Sequence, residues 1–161
     1  MQLEQRDKEL AAIGASIGAN CRPCIEHHVP AGREAGLSEA ELAEAIRFAR
    51  AVRDEAIELL SARVEELVGR GGAPPGPAPV AGASKARELV ALGASVGANS
   101  HPLLDLHIAT ALHVGLSSAQ VEAALGMAEL VQRRAGEMTA EKAAHALKGP
   151  GDASADAAAR S

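Results

Sequence analysis

The stretch Gly14-Ala-Ser-Ile-Gly-Ala-Asn20 returns almost unchanged as Gly93-Ala-Ser-Val-Gly-Ala-Asn99, and this repetition decides how the chain is read. Extending the register of 79 residues outward, Lys8 to Ala56 align without a gap on Arg87 to Ala135, with 19 identities in 49 positions. Such self-similarity marks an internal duplication. The composition agrees with helices as the repeated unit. Among 161 residues there are 37 alanines and 16 glycines, one aromatic residue, Phe48, and neither Trp nor Tyr. An Ala-rich chain without β-branched or aromatic runs favours helix over strand. The expected fold is therefore all-α, a helical bundle of two tandem repeats related by a pseudo-twofold, with a core of small aliphatic side chains.

Punctuation places three helices in each repeat. The first spans about Leu3 to Ala19, with Asn20 expected both to end it and to cap the second, about Cys21 to Ala35. Pro23 lies in that helix's first turn, where it is tolerated, while Pro30 is expected to kink it. Gly36 supplies the stop, and Ser38 with Glu41 forms a capping box for a third helix that continues or breaks near Asp54. The second repeat predicts helices near Ser84 to Ala98, His101 to Val114 and Ser118 to Arg134, with a separate last helix near Thr139 to Leu147. The expected organisation is a first repeat over 1–69, a Gly/Pro-rich linker over 70–83, a second repeat over 84–148 and a disordered tail over 149–161. Gly14 and Gly18, with Gly93 and Gly97, place small residues four apart on one helix face and read as close helix packing.

Several function classes fall away. A formal charge of -5 with no basic tract and no stacking aromatics argues against nucleic acid. The N-terminus is charged, and the longest apolar stretch, Leu10 to Ala19, is about half of the ~20 residues that span a bilayer. A cytoplasmic protein without a membrane partner is expected. Two cysteines are too few for a disulfide framework, and as Cys21-Arg-Pro-Cys24 they point in a reducing compartment to redox or metal chemistry.

On a helix turning about 100° per residue, Cys21, Cys24 and His28 fall near ~0°, ~300° and ~340°, so one stripe carries all three. His28 can take a proton from a thiol at this spacing. His27, at about 240°, borders Cys24 only and ranks second. Thiols in a first turn sit where helix N–H groups favour an anion, and free-thiol pKa values of about 8.5 fall to about 3.5–7.5 in such settings. Redox use of the pair leads the readings, ahead of a zinc site from Cys21, Cys24, His28 and Glu9, and of a purely structural pair. No cofactor is expected. The second repeat keeps Glu88 and His107 but reads Ser100-His-Pro-Leu103 where the first has its cysteines. Its role is read as scaffold, with a different reaction at His107, His101 or Glu88 as the sharper possibility. The run Arg47, Arg50, Arg53 with Glu44, Asp54 and Glu55 reads as a solvated face.

Glu9, Cys21, Cys24 and His28 fit E-x11-C-x2-C-x3-H, followed by Ala35-Gly-Leu-Ser38. This pattern resembles the AhpD-like alkylhydroperoxidases of the carboxymuconolactone decarboxylase superfamily, an all-helical fold. The resemblance covers Lys8 to Ala56 and, weakened, Arg87 to Ala135. It implies a peroxidase or disulfide reductase acting on small hydroperoxides, with Cys24 as the attacking thiol, Cys21 as the resolving thiol, and Glu9 with His28 as proton relay. It also implies an external dithiol, thioredoxin-like or lipoyl reductant, and assembly as a homotrimer. Some members carry a His between the cysteines, where this chain has Arg22 and Pro23. A decarboxylase-like enzyme and a non-catalytic redox-sensing or metal-binding module are the alternatives.

Overall fold

The computed structural model describes residues 3–73, 76–78 and 82–148. The tail expected to be disordered lies outside them, as do parts of the linker. Six helices form in chain order: α1 (Gln5–Gly18), α2 (Arg22–Glu34), α3 (Glu39–Leu67), α4 (Lys85–Gly97), α5 (His101–His113) and α6 (Ser118–Lys148). No strand occurs among the described residues, so the protein is all-α. None of these helices is long and apolar enough to cross a membrane.

α1 and α4 lie at the centre, and both pack on α3, on α6 and on each other. Their crossing is backbone on backbone. A Cβ added at Gly14 would stand 2.1 Å from the Val90 carbonyl oxygen, and one at Gly93 2.0 Å from that of Ala11. Gly18 meets the Ala94 carbonyl oxygen and Gly97 that of Ala15, each at 2.4 Å. These contacts exchange places when the repeats are exchanged by 79 positions. Residues that cannot carry a side chain let the two helices approach so closely, and the flanking Ala11, Ala12, Ile13, Ala15, Leu89, Ala91 and Leu92 are fully enclosed. A core whose one aromatic residue is Phe48 is thereby filled in part by main chain.

Turn chemistry fixes how the outer helices leave this centre. Asn20 and Asn99 hold φ of 53° and 54°, a left-handed geometry that Asn tolerates better than most residues. The N–H of Asn20 donates to the Ile17 carbonyl and that of Cys21 to the Ser16 carbonyl, both hallmarks of a Schellman end. Asn20 therefore closes α1 but does not cap α2. That position falls to Cys21, since Asn20 is occupied by the left-handed turn. α2 runs through Pro30 and stops before Gly36, at φ 92°. Ser38 and Glu41 form the expected capping box, and the hydrogen bonds from Ser38 hold the Glu41 carboxyl below its usual pKa.

One expected interruption is absent, and the choice left open at Asp54 falls to continuation. α3 continues past Asp54 to Leu67, and α6 passes through Gly136 as one helix to Lys148. A helical glycine costs only about 1 kcal/mol relative to Ala. Around Gly136 that cost is offset by an Arg134–Glu137 ion pair at 2.9 Å and by good helix formers on either side. α3 also ties the halves together, because Glu44 accepts from Arg87 at 2.6 Å and the same guanidinium lies 5.5 Å from the Phe48 ring centroid.

The crossing gives a direct test by thermal unfolding. Gly14→Ala or Gly93→Ala forces a methyl into a carbonyl oxygen and should cost about 3 kcal/mol or more. At this chain length that lowers the midpoint by roughly 6–12 °C. Gly126→Ala, with nothing within 4 Å of its Cβ, should be neutral or slightly stabilising.

Candidate functional site

The site begins at the α1–α2 turn. With its N–H held by Ser16, Cys21 takes the position before α2, and its Sγ accepts a hydrogen bond from the Cys24 backbone N–H at 3.3 Å. Cys24 lies one turn on, with the Cα atoms 5.3 Å apart, and the two sulfurs are joined as a disulfide. Both residues are buried. Helix N–H groups pointing at a sulfur favour its thiolate once the bond is reduced.

A further turn along α2 stands His28, whose Nδ1 is 2.9 Å from Glu9 Oε2 on α1. Gln5 Nε2 donates to the other carboxylate oxygen at 2.7 Å. The carboxylate fixes the ring through Nδ1 and leaves Nε2 for a second partner. The side chains of His28 and Glu9 are 15% and 5% exposed, so the pair sits at the rim of the core with one edge open. His27 is exposed and meets the His28 ring edge-on, centroids 4.9 Å apart. Glu9, Cys21, Cys24 and His28, read from one strip of sequence, are thus brought together from α1, α2 and the turn between them.

The two sulfurs face different spaces. Cys24 and His28 border a cavity of about 420 Å³ whose far wall is α6, with Met127, Leu130, Val131, Arg134 and Met138 lining it. Cys21 borders another of about 420 Å³ between α1, α2 and α3, whose lining includes Arg22, Arg50 and Arg53. Local patterns gave no sign of the α6 wall, which becomes a neighbour only when the repeats pack. The arginine run is the solvent-facing surface expected, with Arg47 and Arg50 exposed and Arg53 partly so. Arg47 pairs with Glu44, and Arg50 and Arg53, neighbours at a spacing of three, share the part of that face that borders the Cys21 cavity.

The second repeat holds the corresponding pair in sealed form. His107 Nδ1 is 2.9 Å from Glu88 Oε2, with side chains only 2% and 1% exposed. Leu103, in the place of Cys24, is fully buried, and Ser100 stands for Cys21. His107 Nε2 has no hydrogen-bond partner among the described residues. His101 is exposed on the outside of α5. Among the described residues no group of three or more His, Cys, Asp or Glu is arranged to hold a metal ion.

Residues 2–65 match the model of the carboxymuconolactone decarboxylase family. The match spans 64 of the chain's 161 residues, all of them in the first repeat. The family match therefore takes in both cysteines, Glu9 and His28, and ends before α4. No curated protein matches the chain. Its fold is similar to the crystal structure of a protein provisionally described as a gamma-carboxymuconolactone decarboxylase subunit, from Burkholderia xenovorans LB400. The likeness has a TM-score of 0.65 at 17% identity and covers 91% of this chain and 79% of that one.

The two Glu–His pairs differ in enclosure, and urea unfolding measures the difference. Glu88→Ala strands a second nitrogen of a sealed imidazole and should cost about 2–3 kcal/mol. Glu9→Ala leaves His28 in reach of water and should cost about 1–2 kcal/mol. The joint replacement Glu88→Leu with His107→Leu should recover part of the larger loss.

Proposed function

We propose that this protein is a thiol peroxidase that reduces hydroperoxides by cycling Cys21 and Cys24 between dithiol and disulfide. The observation that carries the reading is the conjunction, on one helix, of a Cys-x-x-Cys disulfide at the N-terminus and a carboxylate-held histidine one turn beyond Cys24. A disulfide held by helix N–H groups is a poised redox couple, and an imidazole with a free Nε2 beside it is a proton carrier.

In the reduced protein the Cys24 thiolate attacks one peroxide oxygen. The S–O bond forms, the O–O bond breaks, and the departing alkoxide takes a proton from His28 Nε2, leaving an alcohol and a sulfenic acid on Cys24. The Cys21 thiolate then attacks Cys24 Sγ. The S–S bond forms, hydroxide leaves as water after gaining a proton, and the disulfide results. Two electrons pass from the sulfurs to the peroxide. Glu9 is a positioning residue, since it touches His28 rather than substrate, and Gln5 holds its second oxygen. The α6 wall, apolar apart from Arg134, which pairs with Glu137, suits an organic hydroperoxide with an aliphatic tail. A thiol must return the electrons.

A second reading, lactone decarboxylation, is favoured by one observation. The cysteine-free second repeat retains its own Glu88–His107 pair, and the structurally similar protein carries that provisional description. This chemistry needs no thiol, so turnover of a carboxylated lactone by a variant lacking both cysteines would displace the peroxidase reading.

Peroxide titration of the reduced protein, followed by intact mass, tests the proposal. Wild type should lose two hydrogens, Cys21→Ser should gain one oxygen at Cys24, and Cys24→Ser should do neither. His28→Gln should slow the first step by about a hundredfold or more, within the range of general acid–base contributions. A wild-type mass unchanged by peroxide sinks the reading.

A further inference from the structure

The cavity on the Cys21 side has a mixed character. Ile17, Ile25 and Ile46 give it an apolar lining, and Arg22, Arg50 and Arg53 bring three guanidinium groups to it. One of them, Arg22, pairs with Glu26 at 2.7 Å. Arg53 donates to the neutral Asn20 Oδ1 at 3.2 Å, and Arg50 has no ion pair or hydrogen bond among the described residues. A chain of net charge -5 thus gathers uncompensated positive charge at one sulfur.

The duplication supplies an internal control. At the 79-residue offset, Arg22, Arg50 and Arg53 correspond to His101, Glu129 and Gln132. The repeat that lost its cysteines also lacks all three cations. Gln132 makes the bond to Asn99 Oδ1, at 2.8 Å, that Arg53 makes to Asn20. A neutral side chain therefore suffices to brace this turn, and the positive charge in the first repeat is surplus to the fold.

We propose that the Cys21 face admits the reductant and selects it by charge, the preferred reductant being a small carboxylate-bearing thiol. This rests on the reading of Cys21 and Cys24 as a redox couple. Guanidinium groups match carboxylates in geometry as well as in sign, and the apolar lining takes the short aliphatic link to the thiol. Cys21 is 8% exposed, so a slender molecule reaches its sulfur where a broad surface does not. The reductant's thiolate attacks Cys21 Sγ and a mixed disulfide forms. The Cys21–Cys24 bond breaks, and Cys24 leaves as a thiolate toward its own cavity and His28. A second thiolate then attacks the reductant's sulfur, forming the oxidised reductant and releasing Cys21. Two electrons enter the protein, and two thiol protons accompany them.

The test uses the full chain with its disulfide installed by diamide, so that no peroxide takes part and a failure of the peroxidase reading shows only in the peroxide titration. Rates of disulfide reduction are measured with 3-mercaptopropionate, 2-mercaptoethanol and cysteamine. Each is divided by the same thiol's rate with an uncharged small disulfide, which removes differences in thiolate content and nucleophilicity. At ~0.01 M ionic strength the carboxylate thiol should exceed the neutral one by about tenfold, with the cationic one slowest, and ~0.5 M salt should compress the series. Arg50→Gln should reduce the preference, and the joint replacement Arg50→Glu with Arg53→Glu should abolish or invert it. Arg63→Glu, a charge reversal farther along α3, should leave the order intact. Equal normalised rates in wild type, or a preference unchanged by the Arg50 and Arg53 replacements, would overturn the proposal.

Discussion

The contact on which the rest depends is the close approach of α1 and α4 at four glycines. With main chain pressed against main chain, α1 is enclosed on nearly all sides, and Glu9 on that helix is buried although it is charged. A buried carboxylate requires partners, and Gln5 and His28 provide them. The position of the imidazole beside the disulfide is therefore a consequence of how tightly two helices without side chains at their crossing pack together. The functional geometry is set from behind, by the core.

The same constraint operates in both halves, yet the halves differ in what they enclose. In the first, the Glu–His pair borders a cavity and has a sulfur for a neighbour. In the second, a leucine fills the sulfur's place and the imidazole is sealed, with one nitrogen unpartnered. An orphan buried nitrogen is costly. The second repeat thus holds the same Glu–His geometry without the thiols.

Much of this was legible in the sequence because the information was local. Helix stops at Gly36 and Asn20, the capping box at Ser38, and the stripe of Cys21, Cys24 and His28 all depend on residues within one or two turns. The 79-residue register exposed the glycine crossing, since spacing alone put Gly14 with Gly18 and Gly93 with Gly97. What escaped was of two kinds. Some features have a local signal that misleads: the separate last helix expected near Thr139 is the end of α6, and the capping position expected at Asn20 falls to Cys21. Others were invisible in principle, because the α6 wall facing Cys24 and the aim of Arg50 and Arg53 arise only when distant helices pack.

The origins of the two cavities carry a consequence for how the chain divides its labour. The space on the Cys21 side is lined by α1, α2 and α3, all from the first repeat, whereas the space on the Cys24 side is closed by α6 from the second. The second half of the chain thus supplies a wall to a cavity whose sulfur and imidazole come from the first. Changes along α6 can reshape what reaches Cys24 without touching the residues that hold the disulfide or the imidazole. The second half is in this sense a separate wall, whose side chains set the width of the Cys24 cavity independently of those that hold the disulfide.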